Sequence, residues 1–147
     1  MRVVIGCDFV GFEYKDRIVA LLKSLGHEVI DVGTNSAELC DYPDYAEAAA
    51  KEIVEGRADR GILICGTGIG IAIAANKIKG IRCAIVHDHY TAQLTRMHND
   101  ANMISFGAVV IGIEVAYDIV KTFLSTDFEG GRHANRIAKI AAIESKQ

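Results

Sequence analysis

The stretch Ile62-Leu63-Ile64-Cys65-Gly66-Thr67-Gly68-Ile69-Gly70 sets a thiol and three glycines at the end of an apolar run. The run reads as a buried strand, and the glycines let backbone N–H groups face a ligand where the next helix starts. A helix starting there turns its positive end toward the sulfur, a setting in which a thiol serves as a base. The same amides suit an enediolate oxygen, formed when a proton leaves the carbon beside a carbonyl. Dinucleotide binding fits less well, because the glycines follow the third strand and are not spaced G-x-G-x-x-G. From spacing alone, a buried structural cysteine in a tight turn reads as well as a catalytic one.

Asp8 follows the first strand and should reach the same crevice, to orient a hydroxyl or hold a histidine; capping a helix is the alternative. In Arg96-Met97-His98-Asn99-Asp100-Ala101-Asn102 an imidazole and two amides lie between a helix and the fifth strand. His98 can move protons near neutral pH, or simply be solvated. Arg132 and Arg136 share a helix face beside His133, just after Gly130-Gly131, and suit a phosphate dianion; a solvated basic face is the alternative. His87 and His89 lack a third ligand at a supporting spacing and read as polar loop residues, not a metal site.

These residues need elements to hold them. Apolar runs predict strands over Arg2–Cys7, Glu28–Val32, Gly61–Cys65, Ile81–Val86 and Asn102–Phe106. Between them, helical spacing predicts Glu13–Leu25 (core face Ile18, Leu21, Leu22 and Leu25, ended by Gly26), Tyr45–Glu55, a helix to about Lys77, and Tyr90–Met97. Two more follow, one with a core face of Ala116, Ile119, Val120 and Phe123, and a last one carrying Ile137, Ile140 and Ala141. Alternating strands and helices imply an α/β fold, a doubly wound parallel sheet of five strands with helices on both faces. Ligands in such sheets bind beyond the C-terminal strand ends, which selects Asp8, the Cys65 loop and the segment after Val86.

At 147 residues, the chain fits a single domain spanning 1–147 with a sizeable core. With 50% hydrophobic residues, 24% charged residues and one proline, it predicts a soluble protein without long disordered segments. A net charge of −3 gives no general attraction to nucleic acid or to an anionic membrane, so any bound anion needs a local cationic cluster. No apolar run reaches the ~20 residues of a membrane span, and the start of the chain lacks signal-peptide anatomy. The four scattered cysteines, without a CxxC pair, read as reduced thiols in the cytoplasm.

Taken together, the segments Gly6-Cys7-Asp8, Val29-Ile30-Asp31-Val32-Gly33-Thr34, Asp41-Tyr42-Pro43, Ile64-Cys65-Gly66-Thr67-Gly68, Ala74-Ala75-Asn76-Lys77, His98-Asn99-Asp100-Ala101-Asn102 and Glu129-Gly130-Gly131-Arg132-His133 resemble the ribose-5-phosphate isomerase B family, which includes the galactose-6-phosphate isomerase subunits. The resemblance implies a Rossmann- or flavodoxin-like sheet, and a homodimer or tetramer with active sites at the subunit interface. It also implies a C-terminal helix used in dimer formation, a sugar phosphate substrate, and no metal or organic cofactor. By resemblance Cys65 moves the proton between C1 and C2, Thr67 assists at the hydroxyls, and His98 with Asp8 opens the sugar ring. Asn99 and the Gly66, Gly68 and Gly70 amides hold the enediolate, while Tyr42, Arg132 and Arg136, with His133 nearby, line the phosphate end.

Two positions depart from the family pattern, Phe9 where histidine is usual and Val109 where arginine is usual, both at the phosphate end. The first expectation is interconversion of ribose 5-phosphate and ribulose 5-phosphate by cofactor-free proton transfer. The alternative is the same chemistry on a hexose or tetrose phosphate, or on a free aldose. A nucleotide- or flavin-binding module and a catalytically silent subunit are further readings.

Overall fold

Strands buried on both faces have no polar side to turn to water, so they line up as the parallel centre of a sheet with helices above and below. The computed structural model describes all 147 residues. Strands β1 (Arg2–Cys7), β2 (Glu28–Asp31), β3 (Arg60–Cys65), β4 (Cys83–Ile85) and β5 (Met103–Gly107) alternate with helices α1 (Phe12–Ser24), α2 (Tyr42–Val54), α3 (Ile69–Ala75), α4 (His89–Asn99) and α5 (Ile113–Ser125); α6 (Arg132–Glu144) ends the chain. The sheet order is β2-β1-β3-β5-β4, and every pair is parallel. The expected α/β architecture is therefore present, with β5 inserted between β3 and β4. The chain builds outward in opposite directions from β1 and β3, so their C-terminal ends form a topological switch point.

Alternation along each strand divides the core in two. Val3, Ile5, Cys7, Ile62, Ile64, Ile104 and Phe106 pack against Ile18 and Leu22 of α1 and Ala116, Ile119, Val120 and Phe123 of α5. Val4, Leu63, Cys65 and Met103 pack on the other face against Ala46, Ala49 and Ala50 of α2 and Ile71, Ala72 and Ala75 of α3. No helix is long and apolar enough to cross a membrane.

Several boundaries and faces differ from the sequence reading. Helix α2 starts at Tyr42, not Tyr45, because Pro43 fits its first turn, so Tyr42 is helical instead of in a loop. Helix α4 runs to Asn99, which puts His98 and Asn99 in its last turn and not in a connecting loop. Helix α3 has only seven residues and stops at Ala75. On α1, Leu25 lies outside the helix and is exposed, while Lys15 is fully buried. Its Nζ donates to the Thr34 carbonyl at 2.7 Å and Asn35 Oδ1 at 3.2 Å, and pairs with Asp31 at 2.9 Å. The largest difference is α6, where only His133 is buried and Ile140 and Ile143 face solvent. Its apolar stripe has no core in its own chain.

Candidate active site

Cys65 is the last residue of β3 and lies beside β1, where the Asp8 amide donates to the Ile64 carbonyl at 3.3 Å. The sulfur is held from the following loop, because the Gly68 amide donates to Cys65 Sγ at 3.1 Å. Gly68 has φ +78°, and a Cβ there would lie 2.7 Å from the Phe106 carbonyl carbon. Both the left-handed backbone and the close approach require glycine. Ser105, buried in β5, donates its hydroxyl to the Gly68 carbonyl at 2.7 Å, and the Thr67 hydroxyl accepts from the Ile69 amide at 3.2 Å. The Tyr42 ring lies against Gly70, where a Cβ would be 2.6 Å from its Cζ. Gly66 accepts from the Val109 amide at 3.1 Å, so the segment after β5 lies over the cysteine loop. Phe9 is half-buried and Val109 is exposed there.

Both sequence readings of Asp8 bear on what is found. Its carboxylate is buried at the switch point, and Oδ1 accepts from the Val10 and Gly11 amides at 3.0 and 3.1 Å. It therefore fixes the turn into α1 while lying beside Cys65. Burial pushes the other buried thiols, Cys7 and Cys83, each up to about 12, with Lys15 beside Cys7 and Ser105 beside Cys83 opposing it only in part. They remain protonated at neutral pH.

The remaining candidates form a second cluster. Helices in a parallel α/β unit run back against the strands, so the end of α4 lies near the start of β5. Cys65 aligns with Gly107 at the other end of β5. The rise from Met103 to Gly107 alone separates the two clusters by roughly 13 Å along the strands. His98 and Asn99 end α4; Arg132, His133 and Arg136 start α6. The His98 and His133 rings stack with centroids 4.2 Å apart and planes within 11°. Burial holds the His133 imidazole below its ordinary 6.5, with His98 and Arg132 adding to the effect and Glu129 opposing it. Asp8 and His98, expected to act together, lie toward opposite ends of the strands within one chain.

Comparison with known proteins completes the picture. Residues 3–140 match the family described as Ribose/Galactose Isomerase. The chain belongs to that family. It is 51% identical to the ribose-5-phosphate isomerase B of Escherichia coli strain K12, over 99% of this chain and 98% of that protein. Its fold superposes on the Clostridium thermocellum ribose-5-phosphate isomerase B with a TM-score of 0.98 at 49% identity, covering 99% of each chain. The Mycoplasma genitalium ribose-5-phosphate isomerase B, solved with bound ribulose 5-phosphate, aligns with a TM-score of 0.96 at 38% identity, over 99% of this chain and 97% of that one. Membership of this isomerase family makes the chain an enzyme and removes the nucleotide-binding module from the readings.

Three residues near the two clusters were given no site role from the sequence: Lys15, His87 (read as a polar loop residue) and Glu129 (quoted only within a motif). Lys15 shares a helical face with Ile18 and Leu22, a spacing that signals burial, and it anchors the segment leading toward Tyr42. His87 accepts the amide of Gly107, the register partner of Cys65, on Nε2 at 3.1 Å. Glu129 lies 3.3 Å from His133 Nε2 and 3.9 Å from His98 Nε2. His89 joins Asp118 at 3.0 Å and Thr122 at 3.1 Å instead of converging with His87.

Proposed function

We propose that this family member interconverts ribose 5-phosphate and ribulose 5-phosphate by proton transfer through an enediolate, without metal or organic cofactor, in a cytoplasmic setting. The observation carrying this reading is the seat of Cys65, at the switch point with an amide on its sulfur and Asp8 alongside. The relatives act on that sugar phosphate by name, and one is solved with the ketose bound.

The base takes the C2 proton of the open-chain aldose, and its electron pair forms the C1–C2 double bond as the carbonyl oxygen gains charge. The proton returns at C1 while the O2 hydroxyl proton moves to O1, so atoms and electrons balance within the substrate and one base. Cys65 is that base, Thr67 serves the hydroxyls, and the Gly66, Gly68 and Gly70 amides with Asn99 meet the enediolate oxygens. His98 and Asp8 open the ring; Tyr42, Arg132 and Arg136 meet the phosphate.

These roles need both clusters at one substrate. A second copy of the chain supplies the missing half, and α6, with its unpartnered Ile140 and Ile143, is the element that docks there.

The test pairs Cys65→Ala with isotope exchange. The variant loses ~10² to 10⁴ in turnover with its circular dichroism unchanged, while Cys40→Ala stays active. In deuterated water the wild type places deuterium on C1 of ribulose 5-phosphate, and activity survives exhaustive chelation. Near-normal turnover in Cys65→Ala, or activity lost to EDTA and restored by zinc, overturns the reading. A second substrate, a differently phosphorylated or free aldose, is favoured by the apolar Phe9 and Val109 beside the crevice.

A further inference from the structure

Glu129 lies in the segment between α5 and α6, and its amide donates to the Met97 carbonyl at 3.1 Å, one residue before His98. Buried Arg96 fastens the same segment, giving its Nε to the Thr126 carbonyl at 3.2 Å, and Nη1 to the Ala101 carbonyl just past α4 at 2.6 Å. The carboxylate is thereby brought to ion-pairing distance of two stacked imidazoles, at 3.3 Å from His133 Nε2 and 3.9 Å from His98 Nε2. His133 is 5% exposed, and its Nε2 is buried without a hydrogen-bond partner. A polar nitrogen left in that state costs free energy, so its retention calls for a purpose beyond packing.

These side chains also have the types of a divalent-cation site, with ligand atoms within 4.8 Å of one another. Parallel rings point their lone pairs side by side instead of toward one point, and Arg132 and Arg136 oppose a cation nearby. The geometry suits a different task. We infer that Glu129 and His133 are positioning residues for His98, the stacked ring fixing the plane of the imidazole and the carboxylate steadying its edge. The inference rests on the reading of His98 as the ring-opening group. When His98 takes the anomeric hydroxyl proton it becomes a cation. A neutral His133 can remain stacked on it without charge repulsion, and Glu129 offsets the new charge. A group held this way keeps its reactive geometry, and small misplacements are costly.

The experiment measures Glu129→Gln, Glu129→Asp, His98→Asn and the His98→Asn, Glu129→Gln double variant. Each is assayed on ribose 5-phosphate, which cyclises, and on erythrose 4-phosphate, which cannot. Glu129→Gln should lower kcat on ribose 5-phosphate about ten- to a hundredfold with KM nearly constant, and leave erythrose 4-phosphate turnover within about twofold. Glu129→Asp should recover part of the loss, and in the His98→Asn background Glu129→Gln should add less than about twofold. Equal losses on both sugars, additive losses in the double variant, or unchanged ribose 5-phosphate turnover each overturn the inference. If His98→Asn itself costs the same on both sugars, the ring-opening reading falls and takes the inference with it. A loss selective for ribose 5-phosphate in His98→Asn, with Glu129→Gln neutral, overturns the positioning role alone.

Discussion

Under the proposed function, Phe9 and Val109 are single side chains with consequences for binding. A charged contact to phosphate is worth ~1.5 to 3 kcal/mol, or about ten- to a hundredfold in affinity. In the proposed site, with two apolar groups by the crevice, the charge would fall to Arg132 and Arg136. KM for ribose 5-phosphate should therefore be high, and Phe9→His with Val109→Arg should lower it in steady-state assays. A KM in the low micromolar range for the wild type would show that the arginines suffice. His133 carries a second consequence. Its folded-state value is depressed below 6.5, so the unfolded chain binds the proton more tightly. Stability is then present above about pH 6.5 and lost as pH falls through the lower folded value. Thermal melts from pH 7 to 5 should show Tm falling, and falling less in His133→Phe, which keeps a ring for stacking.

At the scale of elements, the join from β3 to α3 is shaped by backbone more than by side chains. Gly68 accepts from buried Ser105, donates to Cys65, and has no room for a Cβ. Gly68→Ala should cost roughly 1 to 3 kcal/mol in denaturant unfolding and lower turnover with it, since the amide facing Cys65 must move. Unchanged stability and turnover would mean that the loop can rearrange freely. The strands, the face of α5 and most of the face of α1, Leu25 excepted, were legible in the sequence, because apolar spacing records which side is buried. Lys15 was not, because its burial depends on Asp31, Thr34 and Asn35 arriving from another element. The last turn of α4 was missed for a local reason: Asp100 closes it in the left-handed conformation at φ 44°, where a glycine stop would have been visible.

For the whole molecule, the separation of the two clusters decides what an experiment on assembly must show. If each site takes Cys65 from one copy and His98 from another, Cys65→Ala and His98→Asn homodimers are both nearly inactive. In a mixed dimer one site carries both defects and the other carries neither. Co-refolding equal amounts should restore about a quarter of wild-type activity by random pairing. Activity that stays at the level of the separate variants would return all of the chemistry to one chain. Removing apolar surface from α6 by Ile140→Ser with Ile143→Ser should weaken association in sedimentation, because neither residue is buried in its own chain.

The sequence by itself determined the α/β architecture, the strand end carrying Cys65 and the two groups of candidate residues, since these follow from local spacing and residue type. It also determined that the isomerase family's motifs occur in order. Only the tertiary structure decided that β5 lies between β3 and β4, that His98 stacks on His133 beside Glu129, and that α6 has no core of its own. Those facts depend on strand order, on α4 running back against the sheet, and on contacts between residues far apart in the chain. No periodicity along the sequence records such distances.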